Sequence, residues 1–221
     1  DVVLLSITGG PGVVKAAMAS NKKVIAAGPG NPPVLVDETA DLDHAAECII
    51  KGGSFDNNIL CIAEKEVFVV ESVFDRFINA MIKAGAVQLD DVAFNLLAQK
   101  AFIPNEKGGH TLNRDLVGRS ASHLADLVKV NIPEGTRMLF AVTGFDNIFV
   151  QEEQMMPVIP IVKVKDFQDG LQCCLKAEHG FHHTALIHSK DMDRITEFAR
   201  AMNTTIVVSN GYSNQGDGPD D

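Results

Sequence analysis

Short apolar runs alternate with helical stretches from one end of this chain almost to the other, and no other feature limits its fold so strongly. Residues 2–7, 23–27, 34–36, 67–70, 137–142, 158–164, 184–188 and 205–208 read as strands. Between them, residues 13–20, 74–84, 92–101, 120–127, 166–178 and 191–202 read as helices, and another starts at Asp41 with Ala45, Ala46, Ile49 and Ile50 on one face. Asp166 stands where an N-cap belongs. The segment from Gly28 to Pro33 breaks regular structure, because Gly and Pro disrupt both helices and ladders. Residues 105–110 read as a polar loop, and no internal repeat or low-complexity segment is present. Strand following helix in this way predicts an α/β fold with a largely parallel sheet flanked by helices.

A length of 221 residues suits one large domain, or one domain and part of another. The net charge of -10 argues against a nucleic-acid partner, since phosphate binding needs clustered Lys and Arg. No apolar run approaches the roughly 18 residues needed to span a bilayer. The first residues lack a basic n-region and a small-residue cleavage site, and read as a strand that begins abruptly, as if inside a longer protein. The four cysteines Cys48, Cys61, Cys173 and Cys174 form no CxxC pair, so no metal site is expected. Cys173 and Cys174 are adjacent on a helix and face different directions. Scattered cysteines imply reduced thiols and a cytoplasmic setting. The Gly-, Asn- and Asp-rich residues 209–221 read as a poorly ordered tail.

Four places carry groups capable of chemistry. Cys61 lies on a short loop between a helical run and the strand at 67–70, where a scaffold can present a thiol, although a lone cysteine is more often packing. The amides of Asn57 and Asn58 precede it and are candidates to support an oxyanion. The turn Thr8-Gly9-Gly10-Pro11-Gly12 joins a strand to a helix and offers backbone N–H groups, but it is neither GxGxxG nor a P-loop. Glu152-Glu153 precede a strand; such a pair is usually a solvated edge, and otherwise suits ribose hydroxyls. His182-His183 abut another strand, and adjacent residues of a strand face opposite ways, so one at most would serve a site. Pairing either with Cys61 needs the fold to close a long separation.

In register, these motifs resemble the CoA-acylating aldehyde dehydrogenases. The resemblance runs through residues 8–17, Gly28 to Val34, residues 37–41, Ser54 to Glu66, Glu152 to Val158 and His182 to Thr184, and covers the chain to about Asn210. The Pro32-Pro33 and Asp56-Asn57-Asn58 spellings are similar to the propionaldehyde and acetaldehyde enzymes of propanediol and ethanolamine utilisation. The resemblance implies an aldehyde-dehydrogenase-like catalytic domain, with residues 1–27 closing a dinucleotide-binding domain, 28–209 forming the thiol domain and 210–221 a tail. It implies Cys61 as nucleophile, attacking a short-chain aldehyde, passing hydride to NAD or NADP and handing the acyl group to coenzyme A. Glu153 would bind the nicotinamide-side ribose, Thr8, Gly9 and Gly10 would lie near the nicotinamide, and His183 would assist deprotonation. The backbone N–H of Cys61 would hold the oxyanion.

The hydrolytic relatives carry a glutamate that activates water, and aligned on Pro33 that position is Ala27; neither Ala26 nor Gly28 offers a base. This favours transfer to CoA over release of an acid. The resemblance further implies a homo-oligomer and a cytoplasmic enzyme that is housed, in this branch, inside a bacterial microcompartment. Taken alone, the 221 residues are expected to show little NAD-dependent turnover. The competing readings are a non-catalytic assembly fragment and a hydrolytic aldehyde dehydrogenase.

Overall fold

The computed structural model describes residues 2–106 and 108–215. In chain order the elements are β1 (Leu4–Thr8), α1 (Pro11–Met18), β2 (Lys23–Ala27), β3 (Pro33–Val36), α2 (Leu42–Gly53), β4 (Glu66–Val70), α3 (Phe74–Lys83), β5 (Val87–Gln88), α4 (Asp91–Ala101), β6 (Phe102–Pro104), β7 (His110–Leu112), α5 (Ala121–Leu127), β8 (Leu139–Thr143), α6 (Ile148–Gln151), β9 (Val158–Val164), α7 (Phe167–Ala177), β10 (Thr184–His188), α8 (Met192–Met202) and β11 (Ile206–Ser209). Among the described residues, six of the helices start on a side-chain cap. Asp41, Asp90, Ser120, Asn147, Asp166 and Asp191 each accept a hydrogen bond from a first-turn N–H, which satisfies donors the helix itself cannot.

Seven strands form one sheet in the order β11-β10-β3-β4-β9-β8-β5, and every pairing in it is parallel. β1 and β2 make a separate parallel pair around α1. The central strands are β3 and β4, all of whose residues are buried, as expected of a sheet covered by helices on both faces. β8 shows how the core divides. Phe140 joins the main cluster with Val34, Phe68 and Ile161, while Leu139 and Ala141 join a second cluster under α4 and α5 with Phe94, Leu124 and Phe149. Alternation of period two puts successive residues on opposite faces.

The sheet order positions the site. Chain passes from β4 out to β5, returns through β8 and β9 to the far side of β4, then crosses to β10 beyond β3. Strands β10, β3, β4 and β9 are therefore neighbours and parallel, so the segments entering them all lie at one end of the sheet. Those segments contain His183, Gly30, Cys61 and Glu153.

Several expectations shift. The strand expected at 137–142 runs from Leu139 to Thr143. The loop at 105–110 is the connection of a small antiparallel hairpin, β6–β7, and the short β5 and α6 have no sequence signal strong enough to announce them. Residues 211–215 are not a loose tail. Ser213 is buried, and its N–H and hydroxyl both donate to the Glu64 carboxylate, at 3.0 and 2.7 Å. Residues 216–221, the rest of that expected tail, lie outside the described residues.

Candidate active site

The loop from α2 to β4 carries Cys61, and its geometry begins with three consecutive left-handed residues. Asp56, Asn57 and Asn58 have φ of 46, 53 and 66°. Asn and Asp tolerate this region better than other side chains, because a short polar group can bond locally. Asn57 and Asn58 do bond, but to backbone. The Asn57 amide donates to Gly118 O at 3.0 Å, and the Asn58 amide to Gly53 O and Glu64 O at 2.7 and 2.9 Å. Both N–H groups of the Asn58 amide are thus committed and cannot support an oxyanion, and Asn57 spends one of its two on Gly118 O. They shape the loop instead.

Cys61 is partly exposed, while Cys48 and Cys174 are buried and Cys173 is partly exposed on α7. Burial raises the Cys61 thiol above its ordinary value, and the Glu153 carboxylate adds to this; the backbone N–H groups of Cys61 and Ile62 and the Lys65 ammonium offset the rise only in part. The other partly exposed thiol, Cys173, is raised by burial and by Asp169, with only Lys176 opposing. Cys61 is therefore the thiol with both access and anion-stabilising donors.

His183 stands against the Cys61 loop, with Gly30 between them. A Cβ on Gly30 would lie 2.6 Å from Cys61 O and 3.1 Å from His183 Cγ. The His183 N–H donates to Glu178 Oε1 at 3.0 Å, and ring Nδ1 pairs with Thr184 Oγ1 at 2.8 Å. Burial lowers the His183 pKa, against the pull of Glu178, so the ring is held neutral and able to accept a proton. His182 is left-handed at φ 55°, exposed, and bonded through Nδ1 to Asn203 O. Both histidines precede β10, so strand alternation does not separate them; the turn does.

Glu153 is not a solvated edge. Its side chain is 19% exposed, burial pushes its carboxyl up, and Oε1 has no hydrogen-bond donor. Glu152 beside it is exposed. Glu153 also lines a cleft of about 480 Å³ with Pro29, Asn31, Gln151, Met155 and Phe181. A buried carboxylate oxygen without a donor, at the wall of a cleft, fits a ligand that brings hydroxyl donors. The Thr8-Gly9-Gly10 turn belongs to the β1–β2 unit, where Gly9 N–H donates to Ala27 O and Gly10 caps α1.

Lys65 is the site residue that sequence reading misses. It is fully buried, and its Nζ donates to Asn58 O at 2.9 Å and Asn58 Oδ1 at 2.5 Å and lies 3.9 Å from Glu153 Oε1. A lysine between two glutamates reads as surface, and only the fold shows that Glu64, Lys65 and Glu66 are all buried. No group of three or more His, Cys, Asp or Glu suited to a metal occurs among the described residues. Among those residues, no helix is long and apolar enough to cross a membrane.

The profile of the aldehyde dehydrogenase family matches residues 1–92. The chain is 45% identical, over 98% of its length, to a CoA-propanoylating propanal dehydrogenase of Salmonella typhimurium, of which it covers 46%. Its fold matches a propionaldehyde dehydrogenase from the fucose-utilisation microcompartment of Clostridium phytofermentans with a TM-score of 0.92 and 41% identity, covering 99% of this chain and 49% of that one. It likewise matches the Rhodopseudomonas palustris propionaldehyde dehydrogenase determined with bound CoA and an acylated cysteine, with a TM-score of 0.91 and 38% identity, covering 99% and 50%. The chain thus spans about half the length of the relatives it matches.

Proposed function

We propose that this chain, which belongs with the CoA-acylating aldehyde dehydrogenases by sequence and by fold, carries the thiol chemistry of such an enzyme, with Cys61 as the acyl-bearing nucleophile. The observation that supports this most is the convergence of Cys61, His183 and Glu153 at one end of the sheet, with Glu153 in the wall of a cleft. The Cys61 thiolate adds to the carbonyl carbon of a short-chain aldehyde, and the backbone N–H of Cys61 stabilises the oxyanion. His183, neutral by burial, accepts the thiol proton. A nicotinamide dinucleotide, NAD or NADP, supplies the hydride acceptor when bound. Glu153 would hold its ribose hydroxyls, and the Thr8-Gly9-Gly10 turn would lie near its nicotinamide. The thioester left on Cys61 is cleaved by the thiol of coenzyme A, which carries off the acyl group and returns the Cys61 thiolate.

Transfer to a thiol rather than to water agrees with the residues at Ala26, Ala27 and Gly28, which offer no carboxylate to activate water. The homo-oligomer and microcompartment setting belong to this reading through its relatives.

The acyl-transfer half of the cycle needs no dinucleotide, so it is testable on this chain. Incubation with propionyl-CoA should place a propionyl thioester on Cys61 and release CoA, as read by peptide mass spectrometry. Cys61→Ser should lower that acylation by at least about 10³-fold. Acylation spread evenly between Cys61 and Cys173, or absent at Cys61, would sink the assignment.

A further inference from the structure

We propose that Lys65 is the positioning residue of this site, a buried cation that anchors the Cys61 loop through Asn58 and holds its charge between the Cys61 thiol and the Glu153 carboxylate. The inference rests on Cys61 being the nucleophile. An ammonium group has three hydrogens to donate. Two go to Asn58, on its carbonyl and its side-chain oxygen; Glu153 Oε1, 3.9 Å away, is an ion-pair partner beyond hydrogen-bond reach. Asn58 in turn closes the loop through its amide bonds to Gly53 O and Glu64 O. The Lys65 ammonium is thus the far end of the set of bonds that fixes the left-handed turn ahead of Cys61.

Its own backbone is equally held. Lys65 N–H donates to Pro32 O at 3.1 Å, and Gln154 Nε2 donates to Lys65 O at 2.8 Å. Gln154 follows Glu153 and also donates to Val158 O at 3.0 Å, at the entry to β9. The two charges are therefore set by neighbouring points of one framework, at the ends of β4 and β9.

Burying an ammonium is costly, and an apolar side chain of equal length would fill the space at less cost. The groups that interact with Lys65 are Glu153, Glu66, Cys61 and Glu64, and His183 is influenced by it too. Burial drives Glu66 well up and Glu64 to about 7, which weakens both as counter-charges. Glu153, though burial raises it too, and the Cys61 thiolate remain. Burial brings Lys65 itself down to about 8, so it stays mostly charged near neutrality.

The geometry assigns Lys65 and Glu153 opposing effects on the thiol, and site-resolved alkylation of Cys61 with iodoacetamide, from about pH 6 to about pH 10, reads both. Cys173 in the same chain serves as the internal reference. Lys65→Met should slow Cys61 labelling several-fold at neutral pH, where the ammonium is charged. Glu153→Gln should lower the Cys61 alkylation midpoint and speed that labelling, and neither variant should change Cys173. A loss of folding would raise both thiols' accessibility together, so opposite shifts confined to Cys61 arise only from the charges. If Lys65→Met proves unable to fold, Glu153→Gln still decides. A Cys61 midpoint unchanged or raised in Glu153→Gln, or neutral-pH labelling of Cys61 unchanged in folded Lys65→Met, overturns the proposal. The propionyl-CoA reaction separates the two readings: a Cys61 with this charge-dependent profile that takes no acyl group sinks the proposed function and leaves the role of Lys65 standing.

Discussion

Gly30 shows how much a single residue determines here. Its missing Cβ is what lets the segment entering β3 pass between the Cys61 carbonyl and the His183 ring. The closer of those contacts would be 2.6 Å to a backbone oxygen, which cannot rotate out of the way as a side-chain tip can. Gly30→Ala should therefore cost about 1–3 kcal/mol of stability. The displaced atoms belong to the proposed nucleophile and its base, so acylation of Cys61 should fall by about tenfold or more even where the variant is folded, because sub-ångström misplacement of reacting groups is expensive. Gly28→Ala is the matched control, since nothing lies within 4 Å of its added methyl. Melting curves and acylation rates for the pair would refute this view of Gly30 if both variants behaved alike.

At the scale of the element, the loop from α2 to β4 separates backbone strain from side-chain bonding. Asp56 and Asn58 are both left-handed. Asp56 is exposed, while Asn58 is 1% exposed and makes bonds to Gly53 O, Glu64 O and Lys65. Glycine suits both backbones. Asp56→Gly should leave stability within about 1 kcal/mol of the parent or raise it slightly. Asn58→Gly should cost roughly 2–4 kcal/mol, because it strands two buried carbonyls and takes one of the two Asn58 oxygens from the buried Lys65 ammonium. Chemical denaturation distinguishes the two, and equal effects would show that backbone conformation alone governs the loop.

This loop also marks where sequence stops being informative. The helix ahead of it, the strand after it and the position of Cys61 between them follow from periodicity, and so do β3, β9, β10 and their helices. Their pairing order does not, because it depends on which strand returns beside which, and that order is what brings Cys61, Gly30, Glu153 and His183 together. Burial of Lys65 was illegible for the same reason: a Glu-Lys-Glu triplet has the composition of a surface, and only the sheet and the segment at 211–215 cover it.

For the whole molecule, the covered triplet makes stability depend on pH in a direction opposite to that of a salt-bridged carboxylate. Burial raises Glu64 from 4.5 to about 7, although Ser213 N–H and hydroxyl and the Lys65 charge oppose the rise. Between those two values the folded chain binds a proton at Glu64 that the unfolded chain has released. Folding stability contributed by this group is then full below pH 4.5 and is lost as pH rises through about 7. The displacement corresponds to roughly 3 kcal/mol. Glu66 and Glu153 are raised as well and act in the same direction, whereas His188, lowered to about 4 by burial, acts in the opposite one between there and its usual value of 6.5. A variant that removes only the Glu64 titration isolates its share. Glu64→Gln keeps an oxygen for the Ser213 N–H and should flatten the decline, so that its stability relative to the parent improves steadily from about pH 5 to about pH 8. Denaturant melts across that range measure the difference directly. A constant gap between the two curves would mean that Glu64 titrates normally in the folded chain, and that the contact with Ser213, rather than burial, governs its charge.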